Sequence, residues 1–203
     1  MFFKYKMYLL ILALILLVAY LIPTYREPKI IENVITKAEC KYIIKRAVNH
    51  LEASTVSEDY KLDETIRKSE TAWLDTDDPV ISKIVGRCMK FVDRPRDNCE
   101  KLQVLRYKPG GHYKPHQDTF SDTEDNKRMY TIILALNENY EGGETVFPNL
   151  KKEYKLKMGD ALFFDTLDNY EFITSKALHG GKPVKSGEKW ICNLWVHKYP
   201  YTS

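Results

Sequence analysis

The sequence predicts an α+β architecture that is mainly β, a sandwich or barrel of the jelly-roll type with helices packed outside it. Three observations carry this. From Lys101 onward, short β-branched or aromatic runs alternate with Gly, Pro and Asn turns. Ahead of them stand two amphipathic stretches, each with a helix-capping signal. The 203 residues, 44% apolar and 29% charged, suit one packed domain of ordinary size.

The elements follow in chain order. Met7 to Ile22 is an apolar run of 16 residues without a charge. At about 1.5 Å per residue it reaches roughly 24 Å, less than a bilayer core of about 30 Å, so Phe2 and Phe3 would extend it and Lys4 and Lys6 would snorkel to the headgroups. The expectation is a single transmembrane signal-anchor and tether over residues 1–28, then one domain over 29–203. A cleaved signal and a buried core helix are the alternatives. The poor cleavage pattern before Tyr20 tells against the first, and apolarity all round the helix against the second. Lys4, Lys6 and the terminal amine favour a cytoplasmic N-terminus, which gives a type II membrane protein with its domain in the endoplasmic reticulum or secretory lumen; Arg26 and Lys29 weaken that asymmetry. There Cys40, Cys88, Cys99 and Cys192 could pair, although spacing names no partners and no CxxC suggests a structural zinc.

Thr36-Lys-Ala-Glu39 is a capping box, and the stretch to Leu51 puts Cys40, Ile43, Ile44, Ala47, Val48 and Leu51 on one helical face. Glu52 to Glu70 reads as loop. Asp77-Asp78-Pro79 opens a second helix through Ile81, Ile84, Val85, Cys88 and Met89. Strands are expected at Leu102–Tyr107, Tyr130–Leu136, Thr145–Phe147, Ala161–Phe164 and Trp190–Val196. Three of the 31 basic and one of the 28 acidic residues lie in residues 1–28, leaving 28 against 27. So even a balance excludes a binder of nucleic-acid backbones, which needs a concentrated cationic excess.

The chemistry concentrates at His116-Gln-Asp118. If this is strand, residues i and i+2 share a face, and an imidazole and a carboxylate converge on one point. His179, just ahead of Gly180-Gly181, is a candidate third ligand. Two His and one carboxylate with open positions suit non-heme Fe(II), whereas zinc would need a fourth ligand or a water. Of the other histidines, His50 suits a helix C-terminus, and His112 and His197 suit surface or packing positions. Lys189 opens an apolar strand, where an unpaired ammonium is costly and an anionic ligand such as a dicarboxylate would offset the cost; a surface lysine flanking the strand is the alternative. Tyr107 and Tyr113 flank Lys-Pro-Gly-Gly, a turn able to aim both phenols into one pocket.

The blocks Leu105-Arg-Tyr107-Lys-Pro-Gly-Gly-His-Tyr113-Lys-Pro-His116-Gln-Asp118, Arg128-Met-Tyr-Thr131, Glu141-Gly-Gly-Glu-Thr-Val-Phe-Pro148, Gly159-Asp-Ala-Leu-Phe-Phe164, His179-Gly-Gly-Lys-Pro-Val184 and Gly187-Glu-Lys-Trp190 through His197 together resemble the prolyl 4-hydroxylases, in order and at compatible spacing. Arg67 to Leu74 is similar to that family's mobile loop over the active site. The resemblance covers roughly residues 30–198.

It implies a double-stranded β-helix core and a 2-oxoglutarate-dependent dioxygenase of the procollagen-proline type. His116, Asp118 and His179 would bind Fe(2+), and Lys189 would pair with the distal carboxylate of 2-oxoglutarate, helped by the Tyr107 hydroxyl and Thr145. Arg128, Tyr113 and Trp195 match positions around the peptide. O2 is the other co-substrate, succinate and CO2 are the by-products, and peptidyl proline is hydroxylated at C4, with L-ascorbate rescuing oxidised iron. The partner implied is a proline-rich or collagen-like peptide. Two positions depart from the pattern: Lys182 stands where Cys is frequent, and Asn193 where a Thr is usual. A hydroxylase of another residue, or a membrane-tethered module that binds proline-rich peptides without turnover, is the rival reading; retention of all three ligands and Lys189 weighs against the latter.

Overall fold

The structure is a computed structural model and describes residues 2–56, 62–121 and 125–202, with the side chains of 2–4, 15–17 and 19 left aside. Helix α1 (Phe2–Leu21) is followed by strand β1 (Lys29–Ile31), helix α2 (Lys37–Ala47) and the short strands β2 (Glu52–Ala53) and β3 (Arg67–Lys68). Then come β4 (Glu70–Leu74), α3 (Pro79–Cys88), β5 (Leu102–Tyr107), β6 (His112–His116) and β7 (Arg128–Ala135). The chain continues through β8 (Tyr140–Gly142), β9 (Thr145–Phe147), β10 (Lys152–Tyr154), β11 (Ala161–Asp165), β12 (His179–Gly181), β13 (Val184–Gly187) and β14 (Lys189–His197).

All strand pairs are antiparallel. A seven-stranded sheet runs β1-β11-β7-β14-β5-β4-β2, a five-stranded sheet runs β10-β9-β12-β6-β3, and β13 pairs with β8. Side chains alternate across the large sheet as the period of two requires. One face sends Leu102, Val104, Ile132, Leu134, Cys192 and Leu194 against Ile43, Ile81 and Val85 of the helices. The other sends Leu105, Ile133, Phe164 and Ile191 toward Phe147 of the small sheet. The helices seal one side of the large sheet, so the gap between the two sheets is left to hold the site.

Both helices start as expected. Thr36 accepts from the Glu39 amide and Glu39 reaches back to the Thr36 amide, while Asp78 accepts from Val80 and Ile81 with Pro79 in the first turn. A cap of this kind is worth about 1 kcal/mol. The first of these helices stops earlier than the apolar pattern suggests. After Ala47 it tightens into a 3-10 turn over Val48–His50, which leaves Val48 exposed instead of on the buried face.

Four further expectations change. Among the described residues no helix is long and apolar enough to cross a membrane, so the expected transmembrane signal-anchor is not borne out. Helix α1 spans Phe2–Leu21, and the side chains at 15–17 and 19 within it lie outside the described ones. The Glu52–Glu70 stretch, outside 57–61, contains β2 and β3 as well as turns. Arg67–Leu74 is not a loop: β3 pairs with β6 and β4 pairs with β5 along its whole length. These strands were hidden because their partners are supplied by distant residues and their own side chains are largely polar. Finally, Cys40, Cys88, Cys99 and Cys192 are all free thiols.

Candidate active site

The two histidines of the trio are brought together by register. In the small sheet β12 pairs with β6 so that His179 stands opposite His116, and their rings lie 4.4 Å apart. That approach needs glycine at 180, because a Cβ there would meet the Tyr113 carbonyl oxygen at 2.8 Å and the Pro115 nitrogen at 2.9 Å. Asp118 completes the group from two residues beyond the strand: β6 ends at His116, and a bend begins at Asp118. Asp118 Oδ1 lies 3.7 Å from His116 Nε2 and Oδ2 lies 3.6 Å from His179 Nε2.

The orientation of each donor is set by a neighbour. His116 Nδ1 faces the Lys114 carbonyl at 2.9 Å, and His179 Nδ1 faces the Ala177 carbonyl at 3.1 Å. A carbonyl can only accept, so the proton sits on Nδ1 in both rings and each Nε2 presents a lone pair to the centre. The Thr131 hydroxyl donates to Asp118 Oδ2 at 2.6 Å. Tyr113 stacks on His116 at 3.6 Å, and Phe147 and Phe164 pack on His179. Burial and the neighbouring His179 push His116 well below the usual imidazole range. Burial raises the Asp118 carboxyl, but His179, His116, Arg128 and the Thr131 hydroxyl outweigh it and hold the group ionised. The donor atoms lie within 4.8 Å of one another on one side of a cavity, a set that fits a divalent iron with positions left for other ligands.

The cavity, about 270 Å³, runs from this trio to the buried Lys189 at its inner end and to the exposed Trp73 and Phe120 at its mouth, with the buried Trp195 also in its lining. Lys189 does not lie at the surface. It is 5% exposed, and its ammonium donates to the Gly143 carbonyl at 2.7 Å. Burial, and next the charge of Lys155, pushes it down to about 8. Thr145 and the buried Tyr107 line the same end, with the Lys189 ammonium 5.5 Å over the Tyr107 ring. Burial raises the Tyr107 hydroxyl's pKa, and the nearby Arg67 and Ser69 oppose that shift only in part. An inner end with a buried cation and two hydroxyls suits a carboxylate.

Of the positions matched to a peptide, Tyr113, Arg128 and Trp195 all line the cavity. Arg128 is nevertheless committed. It makes a two-point pair with Glu100 at 2.5 and 3.1 Å, lies 3.9 Å over the Trp195 ring, and donates to the Asp118 carbonyl at 3.3 Å. Glu100 was missed by sequence reasoning. It is buried and also meets His197 Nε2 at 2.7 Å, so His197 takes the packing position of the two expected for it. The available signal was a carboxylate shortly before an apolar strand, which marks many surface residues equally well. Thr131 left only a hydroxyl in an otherwise apolar strand. Of the two departures, Lys182 pairs with Glu153 at 2.6 Å near the surface and is absent from the cavity lining. Asn193 does line the cavity, where it donates to Gln103 at 3.3 Å and leaves its own carbonyl oxygen buried without a partner.

Comparison with known proteins bears directly on this geometry. Residues 102–197 match the model of the 2OG-Fe(II) oxygenase superfamily, a segment that contains the trio, Thr145 and Lys189. A protein of Acanthamoeba polyphaga mimivirus that carries the prolyl 4-hydroxylase name is 34% identical over 188 residues, covering 88% of this chain and 77% of its own. The crystal structure of the viral collagen prolyl hydroxylase of Paramecium Bursaria Chlorella virus-1, in complex with 2OG, is 32% identical with a TM-score of 0.70, over 86% of this chain and 97% of that one. A prolyl hydroxylase of Trichoplax adhaerens, bound to a hypoxia-inducible-factor peptide fragment, shares the fold at 20% identity and a TM-score of 0.63, over 83% of this chain and 82% of that one.

Proposed function

Because this chain belongs to the prolyl 4-hydroxylase family of 2OG-Fe(II) oxygenases, we infer that it hydroxylates peptidyl proline at C4, coupled to conversion of 2-oxoglutarate and O2 to succinate and CO2. The observation that carries this reading is the pairing, in one cavity, of a His116–Asp118–His179 group with a buried ammonium at Lys189. In this reading the trio holds Fe(2+), and Lys189, Tyr107 and Thr145 hold the far carboxylate of 2-oxoglutarate. Iron and 2-oxoglutarate, when bound, supply the O2-activating chemistry that no side chain provides.

The chain's own residues do the rest. Thr131 keeps one carboxylate oxygen of Asp118 directed, and the Lys114 and Ala177 carbonyls hold both imidazoles in the coordinating tautomer. Phe147 and Phe164 exclude water from the His179 side, which protects a reactive centre from unproductive encounters. Glu100 restrains Arg128 against Trp195, so the peptide side of the cavity is a stiff wall of a cation stacked on an indole. Tyr113, Arg128 and Trp195 are assigned to the peptide here, as contacts for a proline-rich or collagen-like chain. L-ascorbate belongs to the same reading, as the reductant that restores ferrous iron.

The placement of the domain in a secretory lumen rests on the apolar run Met7–Ile22 and its flanking lysines alone. Carbonate extraction of membranes from cells producing the full chain tests it: retention in the pellet supports an anchor, and release into the supernatant contradicts one.

The activity is tested by incubating the protein with Fe(II), 2-oxoglutarate and a library of proline-containing peptides. Mass spectrometry should find 4-hydroxyproline, with succinate formed in equal amount. Peptide binding without 2-oxoglutarate decarboxylation, despite bound iron, would establish the binding-module reading instead.

A further inference from the structure

Two lysines grip the same glycine turn. At the end of β8 and just beyond it stand Gly142 and Gly143, both with left-handed φ, at +69° and +67°. Lys189 reaches the turn from β14 and donates to the Gly143 carbonyl at 2.7 Å. Lys155, which follows β10, reaches it from outside and donates to the carbonyls of Tyr140 at 3.0 Å and Gly142 at 2.7 Å. Its ammonium also lies 3.7 Å over the Tyr140 ring, so stem and charge are both engaged.

The turn has no slack on its inner side. A Cβ at Gly143 would meet the Lys189 side chain at 3.2 Å, Val184 at 3.1 Å and the Tyr140 ring at 3.2 Å. Glycine is therefore needed both for φ and for space, yet two consecutive glycines in this region also have the most freedom to reorient. Pairing of β8 with β13 and the Gly143 N–H bond to the Pro183 carbonyl at 3.1 Å restrain the turn's backbone, and Lys155 adds ties to the Tyr140 and Gly142 carbonyls, the second directly before the one that holds Lys189.

We propose that Lys155 is a positioning residue for the 2-oxoglutarate anchor: it fixes the Tyr140–Gly143 turn so that the Gly143 carbonyl takes one N–H of Lys189 and directs the other two at the co-substrate carboxylate. The inference rests on the assignment of Lys189 to that carboxylate. Lys155 does not line the cavity itself and acts only through the turn and through its charge behind it. The direction of its effect on Lys189 supports the proximity, since its charge is the largest contribution after burial to the lowering at Lys189.

The test is calorimetric binding of 2-oxoglutarate to the Fe(II)-loaded full chain under argon, comparing wild type with Lys155→Met, Lys155→Arg and Lys189→Ala. Lys155→Met should weaken 2-oxoglutarate about tenfold with iron affinity unchanged, and Lys155→Arg should recover most of the loss. A Lys155→Met protein that binds 2-oxoglutarate within about twofold of wild type overturns the proposal, even if it melts earlier, because a merely structural lysine would give that result. Should that variant not fold, Lys155→Gln reaches one carbonyl and should weaken binding about threefold; no weakening overturns the proposal equally. Lys189→Ala separates the two levels. If it leaves 2-oxoglutarate binding intact, the anchor assignment fails; if it abolishes binding while Lys155→Met does not change it, only the role of Lys155 fails.

Discussion

At one end of the cavity a buried carboxylate lies between two imidazoles; at the other a buried ammonium has a single backbone carbonyl and the ring of Tyr107 beside it. The first end is organised in advance. Asp118 and both histidines are each held by a second group, and the residual charge is one negative among neutral donors that lack only a cation. The second end is strained electrostatically. Lys189 bears the desolvation of burial, its nearby cation Lys155 adds to that, and Glu144 only partly opposes them. The difference teaches that the two ends are built for guests of opposite sign, and that the metal end is shaped by hydrogen bonds whereas the anion end is shaped by an unmet charge.

The largest effect expected from breaking this contrast is at the metal end. Asp118→Ala removes the only anionic donor and should take both iron binding and 2-oxoglutarate decarboxylation to background, as read by metal analysis and CO2 release. Lys189→Ala should act on the other end alone: the KM for 2-oxoglutarate rises roughly a hundredfold, the scale of losing a buried charge partner, while stoichiometric iron is retained. Equal loss of iron in both variants would erase the distinction between the ends.

The pH dependence sharpens it further. Lys189 has a folded-state pKa of about 8, below its ordinary 10.5. Raising pH through about 8 therefore discharges the free enzyme's anchor, and the KM for 2-oxoglutarate should climb above that pH and stay flat below it. The same shift means that the unfolded chain binds more protons than the folded one between these two values, so this group's contribution to stability rises with pH there. Lys189→Arg, whose guanidinium stays charged, should flatten the upper limb of the KM profile.

A smaller effect belongs to Thr131→Val, which removes the hydroxyl held by Asp118 without changing shape greatly. Iron affinity should fall about tenfold to a hundredfold, with 2-oxoglutarate affinity of the iron-loaded protein nearly unchanged. The smallest is on the scaffold behind the large sheet. Thr36→Ala breaks the α2 capping box, should cost about 1 kcal/mol in denaturant unfolding, and should leave both ends of the cavity as they are.

The same contrast explains what could be read from residues alone. The metal end was legible because ligand chemistry restricts residue type: His116, Asp118 and His179 stand out as donors wherever they lie, and the flanking blocks resemble a known family. There the strand stops short of what the i and i+2 argument assumed, since β6 ends at His116 and Asp118 lies two residues past it, yet the two side chains converge as expected. Lys189 was legible because a cation opening an apolar strand poses an energetic question. The supporting residues were not. Thr131, Glu100 and Lys155 are ordinary polar residues whose importance comes from partners 13, 28 and 13 to 15 positions away, a matter of packing that local pattern does not encode. In the fold, the capped helices and the apolar strands β5, β7, β9, β11 and β14 follow from local chemistry. Strands β3, β4 and β6 do not, because polar, proline-bearing or short segments become strands only when a partner edge is offered.

The central claim is that one cavity takes a metal on the His116–Asp118–His179 group and an anion on Lys189. It is tested most directly by anaerobic titration of the protein with Fe(II) and then 2-oxoglutarate, followed by visible absorption and calorimetry. The account predicts one iron per chain and a charge-transfer band that develops on adding 2-oxoglutarate. The band should be absent in Asp118→Ala and displaced to far higher 2-oxoglutarate concentration in Lys189→Ala. Iron binding unaffected by Asp118→Ala, or a band that forms at the same 2-oxoglutarate concentration without the Lys189 ammonium, would contradict it.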